Sequence, residues 1–94
     1  MILHLLNKAP SQAECYLQLR AAIQAEDAVL LIENGVYAAT KPDTVLPEAS
    51  KIFVLTSDFQ ARGLSGETLS GKLELVDDTG FVNLCCQFEK VVSW

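Results

Sequence analysis

A chain of 94 residues lies at the small end of the domain range and buries a smaller share of its surface than a larger protein does. Seven Lys and Arg against twelve Asp and Glu leave a formal charge of -5. That balance argues against a nucleic-acid phosphate backbone as a direct partner, which needs clustered cations to displace counterions.

Half of the residues are hydrophobic and the mean hydropathy is +0.25, high for a chain that must hide its apolar groups in so small a core. Subunit contact is one natural place for them. No apolar run approaches the roughly 20 residues that cross a bilayer, and the start of the chain lacks the basic and long apolar regions of a signal peptide. The expectation is one cytoplasmic domain spanning residues 1–94, with no membrane contact. Cys15, Cys85 and Cys86 are an odd number without a secretion signal, which disfavours a disulfide framework. The vicinal Cys85-Cys86 pair lacks the spacer of metal and redox pairs, and His4 is remote in sequence, so neither a metal nor another cofactor is expected.

Ile2-Leu3-His4-Leu5-Leu6 reads as a short buried strand closed by Asn7-Lys8, with Pro10 suited to a first helical turn. From Ser11 to about Ala25, Cys15, Leu19, Ala22 and Ile23 recur at helical spacing with Tyr16 beside them, and Ser11 with Glu14 has the form of a capping box. Ala28 to Ile32 is apolar on both alternating faces, the pattern of a central parallel strand covered on both sides. A short helix or turn follows Gly35. Lys41-Pro42-Asp43 and Leu46-Pro47-Glu48 form a connection, and Lys51 to Leu55 repeats the buried-strand pattern.

Ser57-Asp58 offers N-cap chemistry for a short helix through Arg62, which Gly63 ends. Gly66 to Gly71 is a polar turn region and Lys72 to Val76 a fourth strand. Asp77-Asp78-Thr79 makes an acidic helix start, and Phe81, Val82, Cys85 and Phe88 mark one face of the last helix. Val91 to Trp94 completes the set as a strand. The fold class is α/β: a small three-layer domain with a mostly parallel sheet flanked by helices.

Chemistry in open α/β sheets gathers outside the carboxyl ends of the strands, which draws attention to Asn34-Gly35. No G-x-G-x-x-G, Walker lysine or nearby nucleophile accompanies it, so a glycine serving a left-handed turn is the plainer reading, with Tyr37 and the alanines as a flat contact surface. Cys15 is the candidate catalytic residue. Early in a helix its thiolate gains from the macrodipole, which suits a persulfide carrier, whereas its place on the apolar stripe and the adjacent Glu14 suit an inert packed thiol. Cys85 reads as buried and Cys86 as partly exposed, about 100° apart on a helix. His4, within a buried strand, reads as a neutral hydrogen-bonded imidazole. Asp58, Arg62, Asp77 and Asp78 are candidates for a polar cluster at one sheet edge, for which capping and ion pairing are sufficient explanations.

Leu3-His4 followed by Asn7-Lys8-Ala9-Pro10, then Leu30 to Val36 with Ala38-Ala39, Val54-Leu55 leading to Asp58 and Ala61-Arg62-Gly63, then Asp77, Phe81-Val82 and a final tryptophan, together resemble the TusB/DsrH family of sulfur-relay subunits. The resemblance spans nearly the whole chain. One departure is Asn34, where relatives carry Asp before the glycine, a swap that a left-handed turn tolerates.

The resemblance implies a DsrEFH-like fold and a heterohexamer with TusC/DsrF-like and TusD/DsrE-like subunits. It implies sulfur arriving from a TusA-like carrier and leaving through a TusE-like one toward 2-thiouridine at the tRNA wobble position, or a DsrH-type place in dissimilatory sulfur oxidation. The family's principal sulfur-carrying cysteine belongs to the TusD/DsrE subunit, and some DsrH-like members carry one on the first helix, the neighbourhood of Cys15. Two readings follow from it: a non-catalytic assembly subunit, and an active carrier using Cys15. A third, a homo-oligomer binding a small ligand at the Asn34-Gly35 edge, rests on the versatility of α/β folds alone.

Overall fold

The computed structural model describes residues 1–40, 46–47, 51–64 and 73–94. The apolar runs become strands β1 (Ile2–Leu6), β2 (Ala28–Leu31), β3 (Lys51–Leu55), β4 (Leu73–Val76) and β5 (Lys90–Ser93), and these form one sheet in the order β4-β3-β2-β1-β5. Every pairing is parallel. His4 lies beside Val29 on one side and Val92 on the other, and Val29 lies beside Ile52. All four residues of β2 are buried, as a central strand covered on both faces requires.

Among the described residues, three α-helices complete the layers: α1 (Ala13–Ala22), α2 (Thr56–Ala61) and α3 (Asp78–Gln87), with a 3₁₀ helix over Glu33–Thr40 between β2 and β3. Leu6, Val29, Leu31, Ile52 and Val54 face Tyr16 and Leu19 of α1, Val36, Ala38 and Ala39 of the 3₁₀ helix, and Phe59 of α2. Leu3, Ala28, Leu30 and Phe53 turn the other way and meet Leu84 of α3, with Phe81, Cys85 and Phe88 partly buried beside it. This split follows from the strand order. Steps from β1 to β4 run one way across the sheet and the step from β4 to β5 runs back, so crossovers of one hand place α3 on the opposite face from α1 and α2.

Several local expectations change. The capping box does not form, because Gln12 is the N-cap and makes no side-chain cap bond. Instead the Gln12 N–H donates to the Ala9 carbonyl at 2.9 Å, closing a turn with Pro10 and Ser11 at its centre. Proline favours the second position of such a turn, which removes Ser11 from the helix and starts α1 at Ala13. In α2 the N-cap is Leu55, so Ser57 and Asp58 lie inside the helix and their side chains reach other loops.

Gly63 ends α2 as expected: at φ 72° it donates to the Gln60 carbonyl while Leu64 donates to that of Phe59, the paired bonds of a Schellman motif. Asp77 caps α3 through the Gly80 N–H at 2.7 Å. The buried stripe of α3 runs through Phe81, Leu84, Cys85 and Phe88, a helical i, i+3, i+4, i+7 series. Val82, one residue off that stripe, is 60% exposed, and Cys85 is only partly buried. Lys41-Pro42-Asp43, Glu48, the Gly66 to Gly71 turn and Lys72 lie outside the described residues.

Gly35 is not left-handed. Positive φ occurs among the described residues at Glu33 (49°) and Gly63, and Gly35 is glycine for another reason. A Cβ there would lie 2.0 Å from the Leu6 carbonyl oxygen, which already accepts the Ile32 N–H at 3.1 Å. The 3₁₀ helix thus rests backbone to backbone on the end of β1. The alanines beneath it, Ala38 and Ala39, are fully buried rather than part of a surface, and Tyr37 alone of that group is exposed. Gly35→Ala is expected to lower stability by about 3 kcal/mol, the upper range for overpacking, because backbone rather than a side-chain tip must move. Urea denaturation measures it, and a loss below about 0.5 kcal/mol would contradict the close approach.

Candidate functional site

Three groups of polar side chains emerge from this framework. The most buried is built on β1. His4 and Asp27 are 2% and 1% exposed, and His4 Nε2 lies 3.0 Å from Asp27 Oδ2. On the other side of the ring, the Trp94 indole N–H donates to His4 Nδ1 at 3.0 Å. An indole N–H only donates, so Nδ1 is the acceptor and Nε2 carries the hydrogen given to Asp27.

Asp27 immediately precedes β2, in a turn where its own N–H donates to the Gln24 carbonyl. Its carboxylate accepts from the Ile2 N–H at 2.9 Å and the Gln24 N–H at 3.0 Å as well as from His4. Burial acts to raise its pKa, but the His4 bond and the two backbone donors outweigh it and hold the carboxyl below its ordinary value. The anion is therefore stable inside the fold.

The second group sits at the carboxyl ends of β2, β3 and β4. The Asp58 carboxylate accepts the Glu33 N–H at 2.6 Å, steadying the left-handed residue, and lies 3.9 Å from Arg62. Arg62 in turn donates to Asn34 Oδ1 at 3.1 Å. Across the gap between β3 and β4, whose following helices lie on opposite faces, Ser57 donates to Asp78 Oδ1 at 3.0 Å. The expected edge cluster thus exists in two parts: Asp58 and Arg62 bind the 3₁₀ helix to α2, while Asp78 joins α3 to α2 and Asp77 is used in capping. These bonds join the α2 segment to the starts of the 3₁₀ helix and of α3, a structural use of these groups.

The third place is Cys15, the third residue of α1, half-buried against the cluster that contains Tyr16 and Leu19. Tyr16 donates its hydroxyl to the Lys8 carbonyl at 2.8 Å, and burial first, then the neighbouring Cys15, raises the phenol well above its ordinary range. Burial and the adjacent Cys86 likewise raise the Cys85 thiol. Cys86 is exposed. The structure brings none of the three cysteines into the His4 or Arg62 hydrogen-bond groups.

The expected buried, hydrogen-bonded His4 is present, but its partners were not evident from the residues. Asp27 directly before an all-apolar strand was the available signal, since a carboxylate bordering a buried strand needs donors. Spacing alone could not bring Trp94 to it, because the two residues are 90 positions apart and meet only through the β1–β5 pairing.

A small α/β protein with an all-parallel five-stranded sheet and an Asp-His-Trp core network is the class these observations define. Residues 8–91 match the family model for DsrH-like protein. Over 97 residues the chain is 32% identical to Protein TusB of Yersinia pestis (strain Pestoides F) and 29% identical to Protein TusB of Cronobacter sakazakii, covering 99% of this chain and all of each relative. Among solved structures, Protein Tm0979 from Thermotoga maritima superposes with a TM-score of 0.73 at 31% identity, covering 95% of each chain. The ychN protein from E. coli, at 13% identity over 99% of this chain and 97% of its own, gives a TM-score of 0.70 and shares the fold. The chain belongs to the TusB/DsrH family, which is part of the sulfur relay. No helix among the described residues is long and apolar enough to cross a membrane.

Removing the charge from Asp27 tests the buried network. Asp27→Asn turns an amide donor toward N–H groups and is expected to lower stability at pH 7 by about 2 to 4 kcal/mol, read from urea midpoints. Because the folded carboxyl titrates below the unfolded one, its contribution is complete above about pH 3.9 and disappears as pH falls through the folded value. The acid limb of the stability profile is therefore shallower in the variant, and equal limbs in both proteins would count against the anion.

Proposed function

We propose that this chain is a structural subunit of a TusBCD-type persulfide relay. It joins TusC/DsrF-like and TusD/DsrE-like subunits in a heterohexamer that receives sulfur from a TusA-like carrier and passes it through a TusE-like one toward 2-thiouridine in tRNA. The observation that carries the reading is the end-to-end likeness to two proteins named TusB, with no unmatched segment in either relative. The packing of the candidate nucleophile supports the non-catalytic part. Cys15 is half-buried against the core cluster that contains Tyr16 and Leu19. The persulfide then rides on a partner's cysteine, and the chain itself binds neither tRNA nor a membrane.

Deleting the gene is expected to abolish 2-thiouridine in hydrolysed tRNA, and expressing Cys15→Ser is expected to restore it to the wild-type level. Unchanged thiolation after deletion would remove the tRNA pathway and leave the DsrH-type role in sulfur oxidation. A Cys15→Ser chain that assembles but restores no thiolation would make Cys15 a carrier.

One feature favours that second reading: Cys15 occupies the first turn of a ten-residue helix, where the macrodipole stabilises a thiolate. Mass spectrometry of the chain isolated from the sulfur-loaded complex separates the two: an unmodified Cys15 is expected for a packed structural thiol, and a persulfide adduct on Cys15 would mark a carrier.

A further inference from the structure

Trp94 is the sole tryptophan of the chain, and two hydrogen bonds seat it on β1. Its backbone N–H donates to the Leu5 carbonyl at 2.8 Å and its indole N–H to His4 Nδ1 at 3.0 Å. The second bond requires an unprotonated Nδ1, because both partners would otherwise be donors. A proton added to the ring turns Nδ1 into an N–H facing the indole N–H, while Nε2 keeps its contact with the Asp27 carboxylate and gains an opposite charge there. Protonation therefore breaks the bond to Trp94 and strengthens the one to Asp27.

We propose that His4 is a pH-operated latch: the neutral imidazole docks the Trp94 indole and the end of β5 on the sheet, and the imidazolium releases the indole while the rest of the sheet stays folded. Local release is favoured by the burial pattern. Lys90, Val91 and Ser93 of β5 are exposed and Trp94 is only partly buried where it packs against the rim of the α1-side core, whereas His4 on β1 and Asp27 before β2 are buried, so the edge is the part of the sheet that opens most readily.

Among the described residues, charged and titratable groups face the ring from several elements. Asp27 approaches from the turn before β2, and Lys8 of the loop after β1 reaches the Trp94 main-chain oxygen at 3.4 Å. Glu14, Cys15, Tyr16 and Arg20 lie on α1, which covers this face, and Lys90 on β5. The Asp27 carboxylate is the charged group hydrogen-bonded to the ring, and it is the natural counter-ion of the imidazolium.

The lone indole makes the latch directly observable. The full chain, labelled with ¹⁵N, is titrated from pH 8 to 5, the range in which histidine side chains ordinarily change charge. Tryptophan emission, indole N–H exchange and the His4 ring resonances are followed together with far-ultraviolet circular dichroism. The expected result is a red shift of emission and at least a tenfold faster indole exchange, both tracking the His4 ring titration, with circular dichroism unchanged. His4→Gln, whose amide accepts from the indole and donates to Asp27 without titrating, is expected to lose the pH step. Emission that stays constant through the ring titration overturns the latch. So does a change that appears only with cooperative loss of secondary structure. Because wild-type resonances decide the matter alone, failure of the variant to fold leaves the test intact.

Discussion

The buried carboxylate of Asp27 is the point on which the sheet is assembled. It accepts the backbone N–H at the start of β1, the N–H of the turn that leads into β2, and the imidazole of His4, whose other nitrogen takes the indole from beyond β5. The strand β1 and the turn before β2 thus meet on one anion, and Trp94 joins them through His4. A carboxylate in an apolar interior is unfavourable unless donors surround it, and here the donors are largely backbone groups whose positions the parallel pairing fixes. Removing the anion would leave those N–H groups unpaired, which couples the register of β1 and β2 to a side chain lying outside either strand.

On the opposite edge of the sheet the same economy of polar groups recurs with a different purpose. The carboxyl ends of β2 and β3, where α/β proteins commonly hold ligands, are closed by the Asp58, Arg62 and Asn34 bonds and by the backbone contact at Gly35. Among the described residues, the Asp58, Arg62 and Ser57 side chains at these ends are bonded to the starts of neighbouring helices. The arrangement agrees with the proposed subunit whose contribution is shape and contact, and Leu17, Tyr37 and Val82 are exposed on helices.

Sequence patterns revealed most of the architecture because burial imposes a period that residues cannot hide. Ala28 to Leu31 reads as a central strand since every position is apolar, and Phe81, Cys85 and Phe88 lie on one stripe of a helix. Local chemistry was less legible where two uses compete for one residue. Ser11 can cap a helix or sit in a proline turn, and the Ala9 to Gln12 bond decided for the turn. Gly35 signals either positive φ or close approach, and only the Leu6 carbonyl shows which applies. The His4 network was hidden for a stronger reason: pairing across the sheet, not proximity along the chain, creates it.

The proposed assembly role would account for the bonded carboxyl ends of the strands, the half-buried Cys15 and the apolar excess of so short a chain. Its most direct test is native mass spectrometry of the tagged protein purified gently from its own cells, with the bound chains identified by peptide sequencing. The account predicts two further subunits of similar size in equal copies, together with this chain, in a heterohexamer. A homo-oligomer holding no other chain would contradict it.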